Sequence, residues 1–330
     1  MSRPLDAAGL AHLLDALAEV RVLVVGDAML DEYVWGTAER VSPEAPVLIV
    51  RAGEVTQVPG GAGNVLGNVL ALGARAGLCA VVGDDAPATG LERQLTAAGA
   101  APVCLIRDPG RPTTIKTRVV AQTQQVLRID RESHAPLENG PAAALLAAVS
   151  AALEGCHGLL LSDYDKGVLT PETIPALLAA ARARGVKVGV NAKPRLAGLY
   201  EGVDLVTVNR AEAEAICGLA PDNQPHAAHA AQWIGEHLGS GVTLVTLGAQ
   251  GAALHERGGA TSLAAPVPVP VYDVAGAGDT TIAAAFLGLC AGATAAEAAD
   301  LAMRAAAVVV RKVGVATAGP HEILALETTP

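Results

Sequence analysis

Aromatic side chains are nearly missing from this 330-residue sequence, which has one Phe, two Trp and four Tyr. Proteins that hold single-stranded nucleic acid stack bases on aromatics beside a basic face. This chain lacks both, with a formal net charge of −10. Charged residues are sparse as well, at 17% against 51% hydrophobic, and the mean hydropathy of +0.39 excludes a disordered chain. Long apolar runs are missing too. The uncharged stretch 280–296 falls short of the ~20 residues a membrane span needs and is mostly Ala and Gly, so it reads as a buried helix. The five cysteines (Cys79, Cys104, Cys156, Cys217, Cys290) form neither a zinc knuckle nor a Cys-x-x-Cys pair. They read as buried reduced thiols of a cytoplasmic protein. His226 and His229 have no obvious third ligand and read as a polar helix face. The first twenty residues carry Asp6, Asp15 and Glu19 and read as an amphipathic helix, not a signal peptide.

What is present is a rhythm. Apolar, β-branched runs at 20–27, 76–84, 157–163, 186–191, 203–209 and 242–248 predict strands. Ala/Leu-rich stretches between and after them predict helices at 61–73, 87–99, 139–153, 172–184, 210–217, 225–238, 277–291 and 295–312. Alternation of this kind predicts an α/β fold, a mostly parallel sheet covered on both faces. Ligands then bind beyond the carboxyl ends of the strands, where Asp27, Asp163, Asn191, Asn209 and Gly248 fall.

Two segments break the rhythm. Residues 32–57 and 101–131 alternate without an intervening helix and read as antiparallel strands forming a small β lid on one domain spanning 1–330. The second segment is locally basic, with Arg107, Arg111, Lys116, Arg118, Arg128 and Arg131 against Asp108 and Asp130, a net +4. A solvated strand face is the ordinary explanation. A pocket for a phosphorylated ligand is the functional one, favoured because strand alternation puts Lys116 and Arg118 on one face.

The most informative segment is Asp273-Val-Ala-Gly-Ala-Gly-Asp-Thr280, which runs into an apolar helix. Gly276 and Gly278 allow a tight turn in which the amides of Gly276, Ala277 and Gly278 converge on an anion. Asp279, in the first turn, reads as a general base that deprotonates a hydroxyl attacking a phosphoryl group. Pro59-Gly-Gly-Ala-Gly-Asn64 also enters a helix. It misses the strict G-x-G-x-x-G of dinucleotide folds, since Leu66 stands where the third glycine belongs. Gly60 and Gly61 fit close approach of a polyol, with Asn64 hydrogen-bonding it. No P-loop occurs, so phosphates are held another way.

Val24-Val-Gly-Asp27, Gly60-Gly61 with Asn64, Asn209-Arg-Ala-Glu212, Thr246-Leu-Gly248 with Gly251, and the DVAGAGDT loop together resemble the ribokinase-like (PfkB) carbohydrate kinases over nearly the whole chain. That resemblance implies a three-layer sandwich with a β lid. It implies Asp279 as catalytic base, with Gly276, Ala277 and Gly278 as anion hole. Asp31, Gly60, Gly61 and Asn64 would hold sugar hydroxyls. Asn209 and Glu212 would organise Mg²⁺ through water, Thr246, Gly248 and Gly251 would flank ATP, and Lys193 would contact phosphate. ATP and Mg²⁺ are the implied cofactors, and the resemblance allows a monovalent cation such as K⁺.

One branch is closer. VVGDAMLDEYVWG, the stretch from Arg40 to Pro46, PTTIKTRVV, QQVLRID and LSDYDKG look like the kinases of D-glycero-β-D-manno-heptose 7-phosphate, which form the 1,7-bisphosphate for ADP-heptose and lipopolysaccharide core synthesis. Many of those are fused to an adenylyltransferase with an H-x-G-H motif. The motif is missing here, so the resemblance is to the stand-alone kinase. Lys116, Arg118 and Arg128, with Arg40 as a fourth, would grip the distal phosphate. The branch often carries Asp-Pro-Lys-Gly after its fifth strand. This chain has Asn191-Ala-Lys-Pro194, which replaces the acid by an amide. The expected partners are a sugar phosphate and ATP, with no nucleic acid or membrane, and a second copy paired through the lid. Other readings are the same chemistry on another sugar, a non-catalytic sugar-phosphate sensor, and a nicotinamide oxidoreductase suggested by Gly61-x-Gly63.

Overall fold

A computed structural model describes residues 5–122 and 124–326. Its strands are β1 (Arg21–Gly26), β2 (Ala28–Val41), β3 (Leu48–Gly61), β4 (Arg75–Gly83), β5 (Val103–Asp108), β6 (Thr114–Ala121), β7 (Gln124–Arg131), β8 (Gly158–Ser162), β9 (Lys187–Asn191), β10 (Leu205–Asn209), β11 (Val242–Thr246), β12 (Ala252–Glu256) and β13 (Ser262–Ala264). The helices are α1 (Ala7–Ala16), α2 (Ala62–Ala71), α3 (Ala86–Ala97), α4 (Asn139–Ala152), α5 (Thr173–Arg182), α6 (Arg210–Cys217), α7 (Gln224–Leu238), α8 (Ala277–Cys290), α9 (Ala295–Val309) and α10 (Pro320–Ala325).

Nine strands form one sheet in the order β13-β12-β11-β10-β9-β8-β1-β4-β5. Among the described pairings, β12 runs antiparallel to β11 and β13, and the rest of this sheet is parallel. Strand parity divides the core. Val22, Val24 and Leu160 pack with α1, α2, α8 and α9, while Leu23, Val25, Leu159 and Leu161 pack with α4, α5 and α7. The expected three layers follow, since a strand buried on both faces must be apolar at every position. The uncharged 280–296 stretch supplies most of α8, buried from Asp279 to Gly288. Room for Phe286, the only Phe, is made by Gly158 and Gly189, where a Cβ would lie 2.5 and 2.6 Å from its ring. Among the described residues no helix is long and apolar enough to cross a membrane.

β2, β3, β6 and β7 make a second, four-stranded sheet in the order β3-β2-β6-β7. Two details correct the sequence reading. Residues 103–108, grouped there with the lid, form β5, the edge of the main sheet, parallel to β4. Periodicity does not tell which sheet an apolar strand joins. The lid is not wholly antiparallel either, because β2 and β6 run parallel, with a main-sheet excursion between them. Of the five cysteines only Cys79 is buried; the other four are half-buried.

The direction of strand succession reverses at β1, whose neighbours are β4 and β8. The crevice beyond the carboxyl ends of β1 and β8 is therefore the position where an open α/β sheet binds ligands. Asp27 and Asp163 open onto it, and the β2–β3 arm rises from it.

Candidate active site

Asp27 leaves β1 buried, and its carboxylate accepts three backbone N–H groups, from Tyr164 (2.8 Å), Lys166 (3.1 Å) and Val168 (3.2 Å). This pins the loop after β8. Burial outweighs those bonds and pushes the Asp27 carboxyl up to about 6. Asp163 accepts from the Asp165 N–H at 2.9 Å and from the Tyr200 hydroxyl at 2.8 Å, so the loop is held from both sides. The result is a fixed placement of Tyr164, whose hydroxyl donates to Asp279 Oδ1.

Asp279 sits in the first turn of α8, 5% exposed. Asn64 Nδ2 donates to its other oxygen at 2.6 Å. Asn64 is in turn held by Asn68, which receives the Thr280 hydroxyl at 2.7 Å. Desolvation pushes the Asp279 carboxyl up to about 6. Hydrogen bonds from Tyr164 and Asn64 and the charge of Lys193 oppose the rise, and the charge of Asp31 adds to it. A base with such a value is ionised at neutral pH and still basic enough to take a hydroxyl proton.

The glycine loop before it has Gly276 at φ +77, with a Cβ there 2.9 Å from Asn64 Nδ2. Asp273 ties the loop down by accepting from the N–H groups of Ala275 (3.0 Å) and Gly314 (2.9 Å). One sequence expectation is corrected: the Ala277 N–H donates to the Val274 carbonyl at 3.2 Å and is not free for an anion. The Gly276, Gly278 and Asp279 N–H groups take no hydrogen bond among the described residues, so these three, and not that of Ala277, are available to an anion.

On one side of this centre, Lys193 Nζ is ion-paired with Glu212 and lies 5.5 Å from the Tyr164 ring centre. Glu212 and Asn209 form the capping box of α6: Glu212 accepts the Asn209 N–H at 2.8 Å, and Asn209 Oδ1 accepts the Glu212 N–H at 3.0 Å. On the other side, Thr246, Gly248 and Gly251 line a cavity of about 240 Å³ that also borders Ala277 and Gly278. Its remaining wall is aliphatic, including Pro266, Val269, Met303 and Val310, as the shortage of aromatics requires.

Toward the lid, Asp31 is buried and ion-paired with Arg118, whose guanidinium lies 5.4 Å from the Tyr33 ring centre. Gly60 leaves room for this carboxylate, since a Cβ would stand 2.2 Å from Asp31 Oδ2 and force that side chain to move. Lys116 and Arg118 do share a face, as alternation predicts, yet neither is a free cation. Lys116 binds Asp130 (3.2 Å) and Glu132 (3.1 Å), and Glu132 also binds Lys166 at 2.8 Å. These lysines hold the Glu132 carboxyl down at about 2, against its desolvation. Arg128 is paired with Asp130 at 2.9 Å and half exposed. The net +4 counted from the sequence stopped one residue before Glu132 and is largely compensated.

Sequence reasoning missed Tyr164, Asn68, Thr280, Lys166 and Glu132. Tyr164 carried a signal, one of four tyrosines placed directly after a strand-end acid, but its target lies 115 residues away. Tyr164→Phe removes a donor to the Asp279 carboxylate. It is expected to shift the acid limb of the pH–kcat profile to higher pH, with nucleotide affinity unchanged. An unmoved limb would show that Tyr164 does not act on the base.

A buried carboxylate at a helix start, unsatisfied amides beside it and an aliphatic cavity behind them define a phosphotransferase that acts on a hydroxyl. Residues 20–322 match the pfkB family carbohydrate kinase profile, and the chain belongs to that family. It is 41% identical over 97% of its length to the "Bifunctional protein HldE" of Pelobacter propionicus, covering 66% of that protein. It is 41% identical over 92% of its length to the protein of the same name from Caulobacter vibrioides, covering 63% of it. The chain thus spans slightly under two thirds of these relatives. The fold is that of phosphofructokinase-2 from Escherichia coli, solved in a tetrameric inhibited form (TM-score 0.78, 20% identity, 94% of this chain and 98% of that one). It is also that of Arabidopsis thaliana ribokinase, solved with ribose and ATP (TM-score 0.73, 20% identity, 94% and 99%). The ribokinase-like architecture implied by the motifs is therefore present, and the protein is a carbohydrate kinase.

Proposed function

We propose that this kinase transfers the terminal phosphoryl group of ATP to the anomeric hydroxyl of D-glycero-β-D-manno-heptose 7-phosphate, giving the 1,7-bisphosphate that ADP-heptose and lipopolysaccharide core synthesis consume. The carrying observation is the line from Asp279 through Asp31 to the Lys116–Lys166 cluster. In this reading Asp279 is the base at one end of the sugar site and the two lysines lie at the other. The β2–β6–β7 register places Asp31, Lys116 and Asp130 in one row across the lid. Asp31 and Asn64 hold sugar hydroxyls, Gly60 and Gly61 let the ring approach, and Asp279 receives the anomeric proton. A distal phosphate displaces Asp130 or Glu132 from Lys116, with Arg118 and Arg128 beside it. The likeness of LSDYDKG and PTTIKTRVV to the heptose branch supports the same substrate.

Thr246, Gly248 and Gly251 flank the nucleotide, and Lys193 meets its phosphates. The donor set fits Mg²⁺ only as a hydrated ion. Both Glu212 oxygens already hold one partner each, yet each keeps a lone pair for a metal-bound water. Asn209 is committed to its cap and supports Glu212. Among the described residues no cluster of three His, Cys, Asp or Glu side chains suits a metal. Mg²⁺ would neutralise charge on the transferring phosphates. We place the reaction in the cytoplasm, where ATP is made.

An ADP-release assay over a panel of sugars tests the substrate. Lys116→Ala is expected to raise KM for the heptose 7-phosphate roughly 10–100-fold, the loss of one charge-assisted bond, with kcat nearly kept. Equal activity on the unphosphorylated sugar would sink the reading.

The lid face away from the site carries the row Val55–Val34–Val119–Leu127. Val55 (52%), Leu127 (53%) and Ile129 (54%) are exposed, on a sheet whose edges are β3 and β7. We propose that a second copy covers this face. Light scattering is expected to give a dimer that Leu127→Glu makes monomeric; a monomeric parent protein rules it out.

A further inference from the structure

Three buried side-chain atoms have no hydrogen-bond partner among the described residues: Ser162 Oγ, Asn191 Oδ1 and Thr207 Oγ1. Buried polar atoms are nearly always satisfied, so each orphan calls for an explanation. These three are not scattered. Strand register pairs Ser162 with Asn191 across β8–β9, and Asn191 with Thr207 across β9–β10. They form one row across three adjacent parallel strands, at the carboxyl ends of β8 and β9 and two residues before that of β10. Parity puts the row on the α8 side. Two residues before its members stand Leu160 and Leu205, in the α8 core, and Gly189, which faces Phe286. Ser162 and Thr207 are each 2% exposed.

Above the row lies the start of α8. A Cβ on Gly278 would be 3.8 Å from Asn191 Nδ2. No hydrogen bond among the described residues uses that nitrogen. The Asn191 amide therefore has two ends in different surroundings. Its oxygen is buried without a partner in the row it shares with Ser162 and Thr207, and its nitrogen lies toward Gly278 in the loop with unbonded N–H groups. A row meant only for packing would be apolar, which satisfies the sheet at less cost. The three atoms make no direct bond to one another, but one shared water that accepts from the Ser162 and Thr207 hydroxyls and donates to Oδ1 would fix the amide with its N–H outward.

We propose that Asn191 is a catalytic residue, a hydrogen-bond donor to the phosphoryl group in transfer, and that Ser162 and Thr207 are positioning residues that orient its amide. The proposal rests on phosphoryl transfer at Asp279 and not on the identity of the sugar. In that step the bond from the γ-phosphorus to the bridging oxygen of the nucleoside triphosphate breaks, and its electron pair leaves with ADP. A bond from the sugar oxygen to phosphorus forms, and the hydroxyl proton passes to Asp279. Charge spreads over three equatorial oxygens, and a fixed neutral donor lowers its energy. The acid that the resembling branch often carries at this position cannot donate. The amide makes it a donor site in this chain.

The test uses whichever acceptor in the sugar panel gives the fastest ADP release, so that failure of the heptose reading leaves it intact. Asn191→Ala is expected to lower kcat about 10²-fold with both KM values little changed. It should weaken binding of ADP–aluminium fluoride, which mimics the transferring group, more than binding of ATP. The isosteric Asn191→Asp is expected to lose kcat increasingly as pH rises and its carboxyl ionises. Ser162→Ala should lower kcat several-fold in the parent protein and have no effect in the Asn191→Ala background. Wild-type turnover in Asn191→Asp overturns the proposal, as does an equal Ser162→Ala effect in both backgrounds. Because Asn191→Asp keeps the side-chain shape, it decides the matter even where Asn191→Ala fails to fold.

Discussion

Asp279→Asn is expected to lower kcat by about 10²–10⁴-fold, the usual worth of a positioned general base, while nucleotide affinity stays within a few-fold. The amide keeps the shape of the carboxylate and can still accept from either Tyr164 or Asn64, so the α8 start keeps its place. What it loses is the ability to take a proton. Steady-state ADP release and nucleotide titration check this together, and near-normal turnover would remove Asp279 from the role. The same residue is expected to set the acid limb of the pH profile. With its carboxyl at about 6, kcat should rise with pH through that value and level off once the carboxylate is formed.

Stability carries the opposite sign. Asp27 and Asp279 are both raised from 3.8 to about 6 because burial disfavours their charged forms. Their contribution is fully present below the unfolded value of 3.8 and is lost as pH rises through about 6, on the order of 2–3 kcal/mol each. Glu132 works the other way, since its stabilisation is lost only as pH falls from 4.5 through about 2. The unliganded protein should therefore melt higher at pH 5 than at pH 7.5, where its base is ready. Thermal melts at the two values check this.

Gly61→Ala is expected to destabilise the protein by about 2–6 kcal/mol, from backbone strain and overpacking together. Gly61 has φ +56 and ψ −125, a combination closed to residues with a side chain. Its added Cβ would stand 2.3 Å from the Asp27 carbonyl, which receives the Ala62 N–H at 2.9 Å. The strain therefore falls where β1, β3 and α2 meet, and displaces Asp27, the loop it pins and Tyr164. A large drop in melting temperature should accompany loss of kcat. Gly67→Ala, on the same helix with its nearest neighbour at 3.8 Å, is the control and should be close to neutral. Equal behaviour of the two variants would refute the argument.

The sequence by itself determined the layers and singled out the candidate base. Unbroken apolar strands alternating with Ala-rich helices leave a parallel sheet as the economical way to bury both faces. Two glycines before an acid at a helix start leave few uses besides an anion and a proton. The capping box of Asn209 and Glu212 was legible in its spacing, although its structural duty was not. Tertiary structure decided what depends on chain crossing. The reversal of strand order at β1 put Asp27 and Asp163 at the crevice, and no local pattern encodes which strands become neighbours. Tyr164 reaches Asp279, and Ser162, Asn191 and Thr207 line up, only through strand register. Local charge counting pointed to free cations on the lid. The fold paired Lys116 with Asp130 and Glu132, and Arg118 with Asp31, because side chains on one sheet face meet across strands that are distant in sequence.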